Sequence, residues 1–377
     1  MSSVVFTECK LITPYGLGVE PCWNGLMKNE SRLAETDRFD TTEFKSRMAG
    51  IVPGLSYHSG KSIVLQMLEE VLKNHSIPSD AHLLLATLNG EMDCVEETVL
   101  HGNRKPHACC MQNLLKSTQL LCGVSDEGAV VSSACASSTV ALGLAGSLIR
   151  SGERDCVVVV SCDGVSEFLY SGFSSLMALD SGAARPFDRE HAGLTIGEAA
   201  GFVVLMSEER AKKEGRKIEG ELLGWGMSND AHHMTGPLRD GSGLARSIEI
   251  ALKVAGVNEK QIDFIAAHGT GTIYNDEMEM AAFHSVFSSS RPTYSVKGGM
   301  GHTMGAAGLV EAVLALKTFE TGWVPPSVRM QTPADEAAGW LLTEPLELDA
   351  EYVLSTNAGF GGVNASLVLK RGTKKCS

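Results

Sequence analysis

The chain of 377 residues has no C-x-x-C pair among its ten cysteines. Their irregular spacing fits neither a disulfide framework nor a zinc site, and a reduced, cytoplasmic setting is expected for such thiols. No apolar run is long enough to span a bilayer, and residues 1–18 lack the basic-then-apolar pattern of a secretion signal. An excess of positive charge is missing too: 32 Lys and Arg stand against 45 Asp and Glu, a formal charge of −13. Nucleic-acid affinity needs a basic face, so neither nucleic acid nor membrane is an expected partner. A phosphate loop is also lacking. The run Gly54-Leu55-Ser56-Tyr57-His58-Ser59-Gly60-Lys61-Ser62 puts five residues between its glycines where the loop needs four, and Pro53 interrupts the approach. What remains is a chain 44% hydrophobic, enough to bury a large core as one or two domains.

Strand-like apolar runs at 4–6, 82–88, 156–161, 202–206, 219–223, 264–267 and 293–296 alternate with helical patterns at 62–73, 134–149, 243–254 and 306–319. A last strand pair surrounds Gly359. This alternation predicts an α/β fold with buried, largely parallel sheets. The halves echo each other. A small-residue helix follows a strand at 134–149 and again at 301–316, and each half then has a strand running into glycine, at 157–164 and 352–362. We read a divergent duplication, residues 1–206 and 207–377, around two Ala/Gly-rich helices; two unrelated lobes are the alternative. The charged stretch 207–216 reads as a solvated helix at the boundary.

Cys135, in Ser132-Ser133-Ala134-Cys135-Ala136-Ser137-Ser138, stands between a short strand over 129–133 and the first small-residue helix. Unpaired N–H groups and the dipole at a helix N-terminus favour a thiolate, which predicts a lowered thiol pKa. His268 follows an apolar strand in Ala266-Ala267-His268-Gly269-Thr270-Gly271-Thr272, where the glycines permit a tight turn and two hydroxyls can serve a polar ligand arm. His302 lies in the glycine-rich run from Lys297 to Gly308, five residues after Lys297, and Glu311 is on the helix beyond. Each feature alone has a structural explanation. Together Cys135, His268, His302 and Lys297 are hard to attribute to packing.

These residues sit in motifs that resemble the β-ketoacyl-acyl-carrier-protein synthases, the decarboxylating Cys-His-His class of the thiolase superfamily. The matching segments are Ala134-Cys135-Ala136-Ser137-Ser138, Ala184-Arg185-Pro186-Phe187-Asp188, Gly197-Glu198-Ala199-Ala200-Gly201 and His268 to Thr272. Lys297 to Gly308 and Asn357-Ala358-Gly359-Phe360-Gly361-Gly362-Val363-Asn364-Ala365 complete the set. The match is collinear from about residue 120 onward and weaker before.

The resemblance implies a thiolase-like fold of duplicated halves in five αβαβα layers. It also implies a homodimer, or a heterodimer with a related ketosynthase-like subunit. It makes Cys135 the acyl acceptor and His268 and His302 the donors to the malonyl thioester oxygen. Lys297 supports that pair with Glu311 and Asp276, and the N–H groups of Cys135 and Phe360 form an oxyanion hole. Thr270, Thr272, Ala358 and Phe360 are implied at the substrate. The partner implied is an acyl carrier protein bearing phosphopantetheine-linked acyl and malonyl groups, with no cofactor and no metal. Elongation of a fatty acid, a polyketide or an aryl-polyene-like chain fits this set. A chain-length partner subunit and a non-decarboxylating thiolase-like acyltransferase are the competing readings.

Several positions depart from the family pattern. Ala358 replaces a bulky aromatic, and Glu190-His191-Ala192 stands where Arg-Asp usually precedes the glycine. The stretch between Arg47 and Met92 is contracted and lacks a basic Arg-Lys-x-x-Arg run, which leaves the carrier dock unassigned. His232-His233-Met234-Thr235 reads as pocket support. Cys109, Cys110 and Cys162 read as core thiols.

Overall fold

Alternate residues of the strand Cys156–Asp163 serve different cores: Val157 and Val159 pack toward the centre of the molecule, Val158 and Val160 toward an outer helical layer. The period of two along a strand produces this division, and it recurs through the computed structural model, which describes residues 3–102 and 109–372. In the first half the strands are β1 (Val4–Thr13), β2 (His82–Ala86), β3 (Ala129–Val131), β4 (Cys156–Asp163) and β5 (Ala199–Ser207). In the second they are β6 (Gly220–Asn229), β7 (Phe264–Ala266), β8 (Thr293–Tyr294), β9 (Tyr352–Gly359) and β10 (Val363–Arg371).

The spatial orders are β3-β2-β4-β5-β1 and β8-β7-β9-β10-β6, the same permutation in each half. The two sets join where β1 and β6 pair antiparallel through Val5–Glu221 and Phe6–Gly220. Sheet direction corrects the expectation of largely parallel sheets. Only β3, β2 and β4, and likewise β8, β7 and β9, run parallel, while the remaining pairs are antiparallel. The β9–β10 link shows the cause. It holds only Phe360, Gly361 and Gly362, far too short for a parallel crossover, and its two glycines take φ of 83° and 75° to close the hairpin.

Five layers result. Helices α2 (Ser137–Arg150) and α5 (Ala307–Thr321) lie between the sheets, α1 (Ile63–Val71) covers the first sheet, and α3 (Ser242–Ala255) with α4 (Ile273–Val286) covers the second. Every residue of α5 from Ala307 to Phe319 is buried, as expected of a helix apolar on all sides. The central helices touch closely. A Cβ on Gly308 would fall 1.9 Å from Thr139 Oγ1, so the crossing requires glycine. One minor expectation fails: Cys162 is a core thiol, but Cys109 is only half-buried and Cys110 is exposed, just ahead of the helix Met111–Cys122. Among the described residues no helix is long and apolar enough to cross a membrane.

Candidate active site

The turn from β3 into α2 is built around an unusual backbone. Ala134 takes φ of 49°, a left-handed conformation unfavourable for a side chain, and Ser137 Oγ steadies the turn by accepting the Ser133 N–H (2.8 Å) and donating to the Ala134 carbonyl (2.6 Å). Cys135 therefore sits one residue before the helix cap, Ala136. Gly359 of β9 presses on this turn; a Cβ there would meet the Cys135 nitrogen at 3.1 Å and the Ala134 Cβ at 3.2 Å. The thiol does not behave as a helix N-terminus alone predicts. Burial pushes it up to about 12, against the downward pull of the Lys297 charge and of the N–H groups of Phe360 and Cys135. The desolvation cost of a buried anion outweighs the partial charges around it. Those two N–H groups do converge on the sulfur.

His268 ends the turn after β7 and is held from every side. Its own N–H and that of Gly269 donate to Glu279 of α4, at 2.8 and 2.6 Å. Its Nδ1 faces Lys297 Nζ at 3.2 Å and Asn357 Nδ2 at 2.9 Å. Both neighbours are donors, so Nδ1 must accept and the ring proton belongs on Nε2. The amide orientation follows from its other contacts: Asn357 Nδ2 also donates to Glu311 Oε2 (2.8 Å), and Asn357 Oδ1 accepts from Thr139. Lys297 Nζ is paired with Glu311 and also donates to the His268 carbonyl. Lys297 and Glu311 side chains are each 1% exposed, a buried pair whose remaining donors and acceptors are largely satisfied. Burial pushes the Glu311 carboxyl up, while Lys297 and Asn357 pull it back.

His302 is held by its backbone. Its N–H donates to the Thr195 carbonyl (2.7 Å) and its carbonyl accepts from Gly197 (2.9 Å), placing the ring edge-on to His268 with centroids 5.0 Å apart. Among the described residues His302 Nδ1 has no partner, so no contact selects its tautomer. Burial drives both imidazoles well below the usual histidine range, and the Lys297 charge adds to this, so both are neutral at neutral pH.

Cys135, His268 and His302 line one cavity of about 390 Å³ with Thr270, Thr272, Ala358 and Phe360. The two threonine hydroxyls bond each other at 2.9 Å. A larger cavity, about 810 Å³, lies elsewhere among Cys9, Val313 and Lys317 and touches none of these groups. Asp276 does not line the site. It accepts from the N–H groups of Phe187 and Gly271 and so ties the Ala184-to-Asp188 motif to the threonine turn. His233 reaches the cavity rim, its Nδ1 accepting from Thr235 and Gly236 N–H groups. Among the described residues no cluster of His, Cys, Asp or Glu is placed to hold a metal ion.

Two residues with evident work were not singled out from the sequence. Asn357 orients His268, and Glu279 anchors its turn. A primary amide inside a buried strand requires partners, and that is the signal Asn357 offered. Glu279, whose carboxyl burial raises to about 7, shares a helix face with Asn275 and Asp276.

The β-ketoacyl synthase N-terminal domain pattern matches residues 122–211, and the C-terminal domain pattern matches 219–331. The 3-oxoacyl-[acyl-carrier-protein] synthase 2 of Vibrio cholerae is 30% identical across 98% of this chain and 99% of its own length. The chloroplastic 3-oxoacyl-[acyl-carrier-protein] synthase I of Arabidopsis thaliana is also 30% identical, over 96% of this chain and 85% of its own. Among solved structures, the ishigamide ketosynthase/chain length factor superposes with a TM-score of 0.90 at 30% identity, covering 99% of this chain and all of that one. A type II polyketide ketosynthase structure with its acyl-carrier protein superposes at 0.88 with 26% identity, covering 98% and 100%. With a relative aligned end to end and both domain patterns in register, the chain belongs to the β-ketoacyl synthase family.

Proposed function

We propose that the chain is a working β-ketoacyl-acyl-carrier-protein synthase that joins malonyl units to an acyl group held on Cys135. The observation that carries this reading is the enforced tautomer of His268, with Nε2–H left to donate beside His302 and Cys135. The Cys135 sulfur attacks an acyl thioester, the carrier thiol departs with the proton, and the acyl oxygen rests between the N–H groups of Cys135 and Phe360. Malonyl thioester then binds. Its carboxylate leaves as carbon dioxide, and the electron pair of that C–C bond moves into an enolate whose oxygen faces the histidine donors. The enolate carbon attacks the acyl carbon, the C–S bond breaks with its electron pair going to sulfur, and the thiolate is reprotonated from water. Lys297, Glu311, Asn357, Glu279 and Asp276 act on this chemistry by positioning the imidazoles and the threonine turn, and Thr270 and Thr272 face the substrate arm.

A chain-length partner is disfavoured because the nucleophile and both histidines are present. A non-decarboxylating thiolase-like enzyme fits less well, since His302 stands where that class has asparagine. The relatives include a chloroplastic 3-oxoacyl-[acyl-carrier-protein] synthase and a type II polyketide ketosynthase, and elongation of a fatty acid or of a polyketide fits this site. Release of carbon dioxide from malonyl-carrier substrate in step with product tests the proposal; acyl transfer without it contradicts it.

Two features support a dimer of whole chains, with a copy or a ketosynthase-like relative as the second subunit. Strand β3 pairs only with β2 among the described residues, leaving an edge free just before the nucleophile turn. Met177, 90% exposed, and Leu176 both line the cavity, an apolar wall that a second subunit would cover. Light scattering is expected to give a dimer, and an active monomer contradicts the arrangement.

Ala358 bears on acyl shape. It lines the cavity beside Phe360, whose ring packs on Phe173 at 5.6 Å. The space left where relatives carry a bulky ring suits stiffer or wider acyl chains, conjugated polyenes among them. Ala358→Phe is expected to reduce loading of a conjugated acyl thioester more than that of a saturated one. Equal losses, or none, would make Ala358 a packing variant.

A further inference from the structure

At the rim of the catalytic cavity the guanidinium of Arg239 lies over the ring of Tyr274, 4.0 Å from its centroid. Tyr274 lines the cavity and is about half exposed. The pair is built from two elements. Tyr274 belongs to the first turn of α4, and Arg239 to the turn leading into α3. That turn is pinned. Gly241 takes φ of 70°, its N–H donates to the Leu238 carbonyl (3.0 Å), and a Cβ on it would meet the Ala282 nitrogen of α4 at 2.5 Å. Leu238 N–H donates to Asp230 Oδ2 at 2.9 Å, and Pro237 itself lines the cavity.

Asp240, next in sequence, is turned to the Ser242 N–H, which it accepts at 2.9 Å. Among the described residues Arg239 enters no ion pair. A stacked guanidinium spends its face on the ring and keeps its edge of N–H donors for a planar or tetrahedral anion. A fixed, unpaired cation at the mouth of the cavity is notable on a chain of net charge −13. The substrate arm has matching chemistry. Its thioester must reach Cys135 inside, while its phosphate, too costly to bury, must stop at the mouth.

We propose that Arg239, held by Tyr274, binds the phosphate of the pantetheine arm that delivers the thioester. This rests on the carrier-thioester reading above and adds to it a residue that selects the phosphorylated arm. The test uses hexanoyl-pantetheine and its 4′-phosphate as donors, without carrier protein, and reads acyl loading of Cys135. The wild type is expected to prefer the phosphorylated donor by about tenfold in kcat/KM, in keeping with one charge-assisted contact. Higher salt should shrink that preference. Arg239→Ala should remove it, and Arg239→Lys, which keeps the charge but not the fork, should restore part. A wild type that loads both donors alike, or an Arg239→Ala variant that keeps the preference, would overturn the proposal. Loading of neither donor would bring down the condensing-enzyme reading as well, a result distinct from loading both equally.

Discussion

Replacing His268 or His302 by alanine is expected to slow malonyl decarboxylation by about a hundredfold or more, the usual cost of losing one donor at a developing oxyanion. The rings stand edge to face, 5.0 Å between centroids, and both border the cavity that holds Cys135. His268→Ala should leave its surroundings standing, because Lys297 keeps Glu311 and Asn357 keeps both Glu311 and Thr139. The loss should therefore fall on chemistry rather than on folding, and acyl loading of Cys135 should survive in both variants. The pH profile carries a second consequence. Burial and Lys297 hold both imidazoles well below the ordinary range, so acidification through about 6.5, where free imidazole titrates, should not switch either donor to its cation. Decarboxylation assays with the single variants check the first statement. Variants that decarboxylate at wild-type rates would remove the histidines from this role.

Cys135→Ala is expected to abolish condensation and all acyl loading. Among the described cysteines Cys135 alone borders the cavity, and Cys162 is buried in the core. Cys135→Gln should separate the two half-reactions. Its carboxamide offers an oxygen to the N–H groups of Cys135 and Phe360, as an acyl thioester would, so decarboxylation should persist while condensation stops. The thiol is pushed up to about 12 in the resting site, so it should react slowly with small alkylating reagents at neutral pH despite its catalytic position. Mass spectrometry of the variant after incubation with acyl-carrier thioester checks the loading, and an adduct on Cys135→Ala would refute the assignment.

The parts of this site that were legible in the sequence are local ones. A cysteine between a strand and a small-residue helix, and histidines followed by glycine, announce turns that expose side chains, and the family motifs tie them together. Sheet direction was not legible from apolar periodicity, because it depends on connection length; the three-residue link from β9 to β10 forces an antiparallel pair that a strand pattern alone does not reveal. The sign of the thiol shift was misread for a related reason. The helix end is local, but the burial that outweighs it comes from segments such as 358–360, over two hundred residues away in sequence. Asn357 was hidden in the same way. Its partners Thr139 and His268 lie 218 and 89 residues away, so its role exists only once β9 lies against α2 and the His268 turn.

The account rests on decarboxylation and carbon–carbon bond formation being joined through one acylated thiol. The most direct measurement loads the protein with a hexanoyl-carrier thioester, removes the donor, and then adds malonyl-carrier substrate while intact mass and released carbon dioxide are followed together. The account predicts a hexanoyl adduct on the Cys135 peptide that disappears as carbon dioxide and β-keto product form in equal amounts. A product formed with no adduct on Cys135, or an adduct discharged with no carbon dioxide, would contradict it.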